Sequence, residues 1–225
     1  NADDRLLLQL SDGMNRILYG QDSNSDCLGM LMSSLPKVIY SWKSSYPHKK
    51  QQGKVSSNLF GKYNFLNLLA ASCIASYFDV DSKDIDRTLS YYAPKNNRSE
   101  IITTEKNKIF LDAYNANPTS MAAAVDNLDS LQAPLKIAIL GDMFELGDHV
   151  AQEHQDLAER LENSSIDEIY LVGKNFNSTN TGRRVKKFKS FEDFKEAFKP
   201  GAFDNATILI KGSRGMALER TLDLL

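Results

Sequence analysis

FLDAYNANPTSM, residues 110–121, begins as an apolar run and changes character at once. The run ends in Asp112, Tyr114, Asn115 and Asn117, and Pro118 stands where a helix can begin. Proline is accepted at a first helical position, where its missing N–H is no loss. Asparagine tolerates left-handed turns and can cap a helix. The stretch therefore reads either as a well-capped turn or as a polar site at the end of a strand. Its surroundings have to decide between the two.

Working outward, the same pattern recurs downstream. Strand KIFLDA (108–113) precedes a helix over about 118–131, and strand KIAILGD (136–142) precedes one over about 151–162. Strand EIYLVG (168–173) is followed by a variable loop and a helix over about 190–199, and strand TILIKG (207–212) by a last helix from about 215. The strands are apolar throughout rather than alternating. Such runs belong to a parallel sheet covered on both faces, so the chain after residue 100 reads as an α/β domain built on a parallel sheet.

Upstream the texture differs. Residues 1–60 carry short apolar runs such as KVIYSW (37–42) between Ser-, Asn- and Gln-rich stretches, which read as short strands and hairpins. NFLNLLAASCIASYF (64–78) reads as a mostly buried helix. DVDSKDIDRTLSYY (79–92) reads as a second helix, with Asp81 or Ser82 as its cap. Ala93 and Pro94 stop it, and PKNNRSE (94–100) marks a boundary between residues 1–94 and 95–225.

Bulk numbers exclude several classes. Lys plus Arg is 27 and Asp plus Glu is 29, a net charge of −2. That balance gives no reason to expect a nucleic acid or an anionic membrane as partner. The densest basic stretch, GRRVKKFKS (182–190), reads as a solvated loop and strand face. Cys27 and Cys73 lie far apart without metal-like spacing, which suits a reducing cytoplasm. No apolar run reaches the length of a transmembrane helix, and no signal peptide is evident. The chain opens on NADDRLLLQL without Met, so a piece of a longer protein is expected.

In an open parallel sheet, ligands sit beyond the carboxyl ends of the strands. Three of the four strands end in unusual polar sequence: DAYNANP (112–118), GDMFELG (141–147) and KGSRG (211–215). In KGSRG the glycines permit a tight turn, Ser213 can cap a following helix, and Lys211 and Arg214 add positive charge. The ligand of such a turn is a carboxylate or phosphate; the alternative is a capped turn with two solvated cations. Asp112 can accept from ribose hydroxyls or hold a cation, and Asn115 and Asn117 can each donate and accept. Asp142 and Glu145 can face an ammonium group, or simply belong to a solvated loop. His154, in EHQDLAERL, reads as a helix-surface residue rather than a catalytic base. No Ser-His-Asp, zinc or GxGxxG pattern is present.

Taken together, GKYNFLNLLAA (61–71), NNRSE (96–100), DAYNANPTSM (112–121), LGDMFELG (140–147) and IKGSRGMALE (210–219) resemble the Mur ligases. The resemblance covers nearly the whole chain. It implies the end of the family's central ATPase domain over residues 1–94 and its Rossmann-like last domain over 95–225. YNANP and KGSR point within the family to the branch that joins D-Ala-D-Ala to UDP-MurNAc-tripeptide with ATP and Mg2+, in the cytoplasm, during peptidoglycan precursor synthesis. A monomer is implied. The chain contains no GxxxxGK[ST] loop, so the main ATPase residues, the metal ligands among them, are expected outside it, and the piece alone is expected to be inactive.

Residue by residue, the resemblance implies that Asn64 and Asn67 lie by the adenine. Arg98 would reach the ATP phosphates, and Asp112 would hold the ribose. Asn115 and Asn117, with Lys211, Ser213 and Arg214, would close over the phosphates and the dipeptide. Asp142 and Glu145 would face the dipeptide's amino group. The rival readings are another Mur or folylpolyglutamate-type amide ligase, and a non-catalytic nucleotide- or peptide-binding module.

Overall fold

The computed structural model describes residues 1–45, 50–94, 97–199, 201 and 203–225. Residues 95 and 96, in the middle of the expected boundary segment, lie outside the described residues. The chain divides into two compact units, Asn1–Ala93 and Pro94–Leu225.

The first unit opens with a short helix, α1 (Arg5–Leu10), which the sequence reading did not anticipate. Asp4 caps it by accepting the N–H groups of Leu6 and Leu7. β1 (Tyr19–Gly20) runs parallel to β2 (Cys27–Ser33), and β2, β3 (Ile39–Ser44) and β4 (Gln51–Ser56) form an antiparallel meander. α2 (Lys62–Tyr77) buries Phe65, Leu68 and Leu69 against Tyr40, Trp42 and Val55. Helix and strand approach so closely at Gly29 that a Cβ there would stand 2.5 Å from a methyl of Leu69. α3 (Ser82–Tyr91) starts at Asp81, whose carboxylate accepts the N–H of Lys83.

The second unit is a six-stranded sheet. Its strands in chain order are β5 (Glu100–Thr103), β6 (Lys108–Asp112), β7 (Leu135–Gly141), β8 (Glu168–Val172), β9 (Val185–Phe188) and β10 (Ala206–Lys211). Across the sheet the order is β5-β6-β10-β7-β8-β9, and only β5 is antiparallel. The expected four apolar strands are its centre. Residues 109 and 111 face one layer of core with Phe194, Phe198 and Phe203. The other face is covered by α4 (Pro118–Ser130) and α5 (Val150–Glu162), which bury Met121, Val125, Leu157 and Leu161. Both faces are thus removed from water, which is why these strands are apolar throughout.

Several elements differ from the sequence reading. β5 adds an edge that it did not list, β9 is the strand within the basic stretch read as a loop and strand face, and the loop after β8 holds a single helical turn, α6 (Lys174–Asn177). α7 (Phe191–Ala197) follows, opened by a Ser190–Asp193 capping box. The expected last α-helix is instead two 3₁₀ segments, Arg214–Met216 and Leu218–Leu224, broken at Ala217 with φ 48°. The basic stretch 182–190 is the largely exposed loop and strand face expected of it; Arg184 donates to the carbonyls of Glu162, the last residue of α5, and Ser164, and Lys186 pairs with Glu168.

Candidate functional site

The chain leaves β6, skips one place to β7, moves outward through β8 and β9, and returns as β10 into the gap. β10 therefore pairs with β6 on one side and β7 on the other, with Lys211 opposite both Asp112 and Leu140. This insertion sets DAYNANP, KGSRG and GDMFELG side by side at one edge.

The centre of that edge is a buried ion pair. Lys211 is only 1% exposed and Asp112 8%. The Lys211 ammonium donates to Asp112 Oδ2, and to the carbonyl of Asn115 at 3.2 Å. Asp112 Oδ1 accepts the N–H of Ser99 at 2.9 Å. These two residues were expected to touch ligand directly. Here their charges face each other inside the fold, and their bonds hold the segment from Ser99 and the turn at Asn115 in place.

KGSRG and GDMFELG are stitched together. The Ser213 hydroxyl was expected to cap a helix. Instead it accepts the N–H of Phe144 at 2.9 Å, while its own N–H donates to the carbonyl of Asp142 at 3.1 Å. A 3₁₀ turn follows Ser213 with no side-chain cap. Asp142, expected to face an ammonium, is 3% exposed and accepts the N–H groups of Asn175 and Phe176, each at 3.0 Å. Glycine is required at 173: φ is 132°, and a Cβ would lie 2.2 Å from the Asp142 carboxyl carbon. Glu145 stands exposed at the loop tip with φ 63°.

His154 was expected on the surface of its helix, and the structure corrects this. The ring is fully buried, edge-on to Phe176 at 4.6 Å. A partner on each ring nitrogen, Val150 O and Met143 N–H, makes that burial affordable.

The solvent face of the edge is cationic. The guanidinium carbons of Arg98 and Arg214 lie over the Tyr114 ring, 3.5 and 4.9 Å from its centroid. Both arginines are exposed, and among the described residues neither forms an ion pair. Hydrogen bonding to Arg98, then the charges of Arg98 and Arg214, hold the Tyr114 hydroxyl below the usual tyrosine range. Sequence reasoning missed Tyr114. Its one signal was an aromatic side chain inside an otherwise polar turn. Asn115 is exposed, while Asn117 forms a capping box with Ser120 at the start of α4. The turn therefore caps a helix and also presents polar groups, as the first reading of 110–121 left open.

Beside these loops lies a hollow of about 380 Å³, lined by Phe144 and Gly215, by Lys174 and Lys189, and by Arg220 and its ion-pair partner Glu192. In the first unit, Asn64 is buried and donates to the carbonyl of Phe60, and exposed Asn67 donates to Asn64. Among the described residues no group of three His, Cys, Asp or Glu side chains is placed to hold a metal ion. Nor, among them, is any helix long and apolar enough to cross a membrane.

Residues 97–214 match the family model described as Mur ligase, glutamate ligase domain. The chain is 35% identical over 170 residues to the UDP-N-acetylmuramoyl-tripeptide–D-alanyl-D-alanine ligase of Bacillus subtilis (strain 168), covering 72% of this chain and 37% of the relative. The same enzyme of Treponema pallidum (strain Nichols) is 31% identical over 176 residues, with 73% and 37% covered. A crystal structure of MurF from Acinetobacter baumannii superposes with a TM-score of 0.76 at 25% identity, covering 97% of this chain and 48% of that one. The Thermotoga maritima MurF ligase in complex with ADP gives a TM-score of 0.74 at 21% identity over 97% and 50%, a likeness of fold. The chain spans about 37% of the length of these curated relatives.

Proposed function

Because the chain belongs to the Mur ligase family, we propose that it is the carboxyl-terminal part of an ATP-dependent amide ligase that joins D-Ala-D-Ala to UDP-MurNAc-tripeptide. Residues 1–94 would then close a central ATP-binding domain, and 95–225 would bring in the dipeptide. The carrying observation is the insertion of β10 between β6 and β7, which aligns three polar loops beneath two exposed guanidinium groups.

ATP, when bound, supplies the phosphoryl group that turns the tripeptide's terminal carboxylate into an acyl-phosphate. The neutral amine of the dipeptide attacks the acyl carbon. The tetrahedral oxyanion collapses to the amide, phosphate leaves, and the amine's surplus proton passes to solvent. The chain's own task is to position and to stabilise negative charge. Arg98 and Arg214 are the groups for the phosphates, with Asn115 beside them. Asp112, Lys211 and Ser213 hold the loops; any ribose contact of Asp112 shares a carboxylate already bonded to Lys211 and Ser99. The dipeptide carboxylate suits Lys174 and Lys189 at the hollow, and Glu145 suits its ammonium form before proton loss. Asn67, steadied by Asn64, is the group for the adenine. The reading places the enzyme in the cytoplasm, where Cys27 and Cys73 stay as the free thiols found here.

The test is a ligation assay on the polypeptide that carries this chain, with ATP, UDP-MurNAc-tripeptide and a panel of amines. ADP release should depend on D-Ala-D-Ala. Release with D-glutamate or another single amino acid instead would assign a different ligase, and no release with any amine would favour the binding-module reading.

A further inference from the structure

The buried imidazole of His154 has no part in the chemistry above, yet both of its nitrogens are assigned by their partners. Nδ1 lies 2.6 Å from the carbonyl oxygen of Val150, one turn back along α5. A carbonyl can only accept, so Nδ1 carries the proton. Nε2 lies 3.0 Å from the backbone nitrogen of Met143. A backbone N–H can only donate, so Nε2 carries none. The ring is the neutral Nδ1–H tautomer, inferred from partners that permit no other assignment.

What this ring holds is the loop after β7. Asp142 N–H donates to Val172 O, Asp142 O accepts from Ser213, Met143 N–H reaches His154, and Phe144 N–H reaches Ser213 Oγ. Of the three consecutive N–H groups of this loop, the middle one is satisfied by a side chain from the helix behind it. The next two residues, Phe144 and Glu145, are exposed at the candidate site. Asp142 Oδ1 stands 3.7 Å from Nε2, and the two oxygens of this carboxylate accept the N–H groups of Asn175 and Phe176. The acceptor that the structure gives the Met143 N–H is Nε2.

We propose that His154 is a positioning residue: as the Nδ1–H tautomer it latches Met143 and so sets the loop that presents Phe144 and Glu145 at the strand-end site. The importance of that loop rests on the ligase reading, but the latch is measured without substrate or nucleotide.

Two measurements test it on the chain as it is. Long-range proton–nitrogen NMR near neutral pH should show His154 with Nδ1 protonated and Nε2 bare; an Nε2–H or doubly protonated ring would overturn the proposal. Amide exchange is then compared in His154→Gln, whose side-chain oxygen can take the place of Nε2, and His154→Leu, which fills the space without an acceptor. Met143 exchange, normalised to Ile139 and Leu171, should rise on the order of thirtyfold in His154→Leu, the equivalent of one lost buried hydrogen bond. It should stay within about threefold of wild type in His154→Gln, as expected when an acceptor is kept. The amide signals of Phe144 and Glu145 should move with it. Equal behaviour of the two variants would mean that the ring acts by bulk alone. If His154→Leu does not fold, the tautomer and the His154→Gln exchange still decide. A dipeptide that fails to bind would count against the ligase reading and leave the latch standing.

Discussion

Replacing Lys211 by Met removes the positive half of the ion pair at the centre of the strand-end edge. The ammonium is 1% exposed and donates to both Asp112 and Asn115 O. Asp112 is left as a carboxylate 8% exposed. It keeps the Ser99 N–H at 2.9 Å, which softens the loss without cancelling it. Breaking one side of a buried pair costs about 3–5 kcal/mol. With Ser99 retained, about 3 kcal/mol is expected for Lys211→Met, and at roughly 3–5 °C per kcal/mol for a unit of this size the melting point falls by about 10–15 °C. Adding Asp112→Asn removes the stranded charge while keeping an acceptor for Ser99. The double variant should recover to within about 1.5 kcal/mol of wild type, a coupling well beyond independent sites. Urea titrations followed at amide signals of Ile139 and Leu209 confine the reading to this unit. A single-variant cost below about 1 kcal/mol, or a double variant that costs the sum of its parts, would refute the buried-pair account.

Gly173→Ala places a Cβ 2.2 Å from the Asp142 carboxyl carbon at φ 132°, so the urea midpoint should fall by the equivalent of about 2 kcal/mol or more. An unchanged midpoint would mean that the turn has room to relax. Arg98→Gln should raise the Tyr114 pKa toward the ordinary tyrosine value, and Arg214→Gln should raise it less, read by ring-carbon NMR titration. No movement in Arg98→Gln would remove the guanidinium from the ring. Asp86→Ala leaves the Trp42 indole N–H and the Lys54 amide without the carboxylate that bonds them at 2.8 and 2.9 Å. A loss of about 1–3 kcal/mol is expected in the first unit, with a shifted emission from the chain's single tryptophan.

What could be read ahead follows the physics of burial. The four central strands declare themselves because both faces are covered, so their middles are apolar and polar residues such as Lys136 and Thr207 are kept to the strand ends. β9 has one buried residue, Val185, beside Lys186 and Lys187, as an edge does, and without its partner β8 it reads only as a loop and strand face. β5 is four residues long and pairs only with β6. The convergence of strand ends was legible from the parallel-sheet rule, but chain order conceals that β10 enters between β6 and β7. His154 sits among Glu153, Gln155 and Asp156, which argues for a surface. Its acceptor role is set by Met143, eleven positions away and on a strand-end loop. Ser213 fits the pattern of a cap, yet bonds Phe144, 69 positions away. Such tertiary bonds leave no periodic trace, and the same is true of the approach of Arg98 and Arg214 to Tyr114.

The most direct measurement on the chain itself is a backbone-amide NMR titration with D-Ala-D-Ala and, separately, L-Ala-L-Ala. The account predicts shifts at Gly212–Gly215, Asn115–Asn117 and around Phe144 with the D,D-dipeptide only. Equal shifts with both stereoisomers, or shifts confined to other surfaces, would contradict a stereospecific dipeptide site at the strand-end edge.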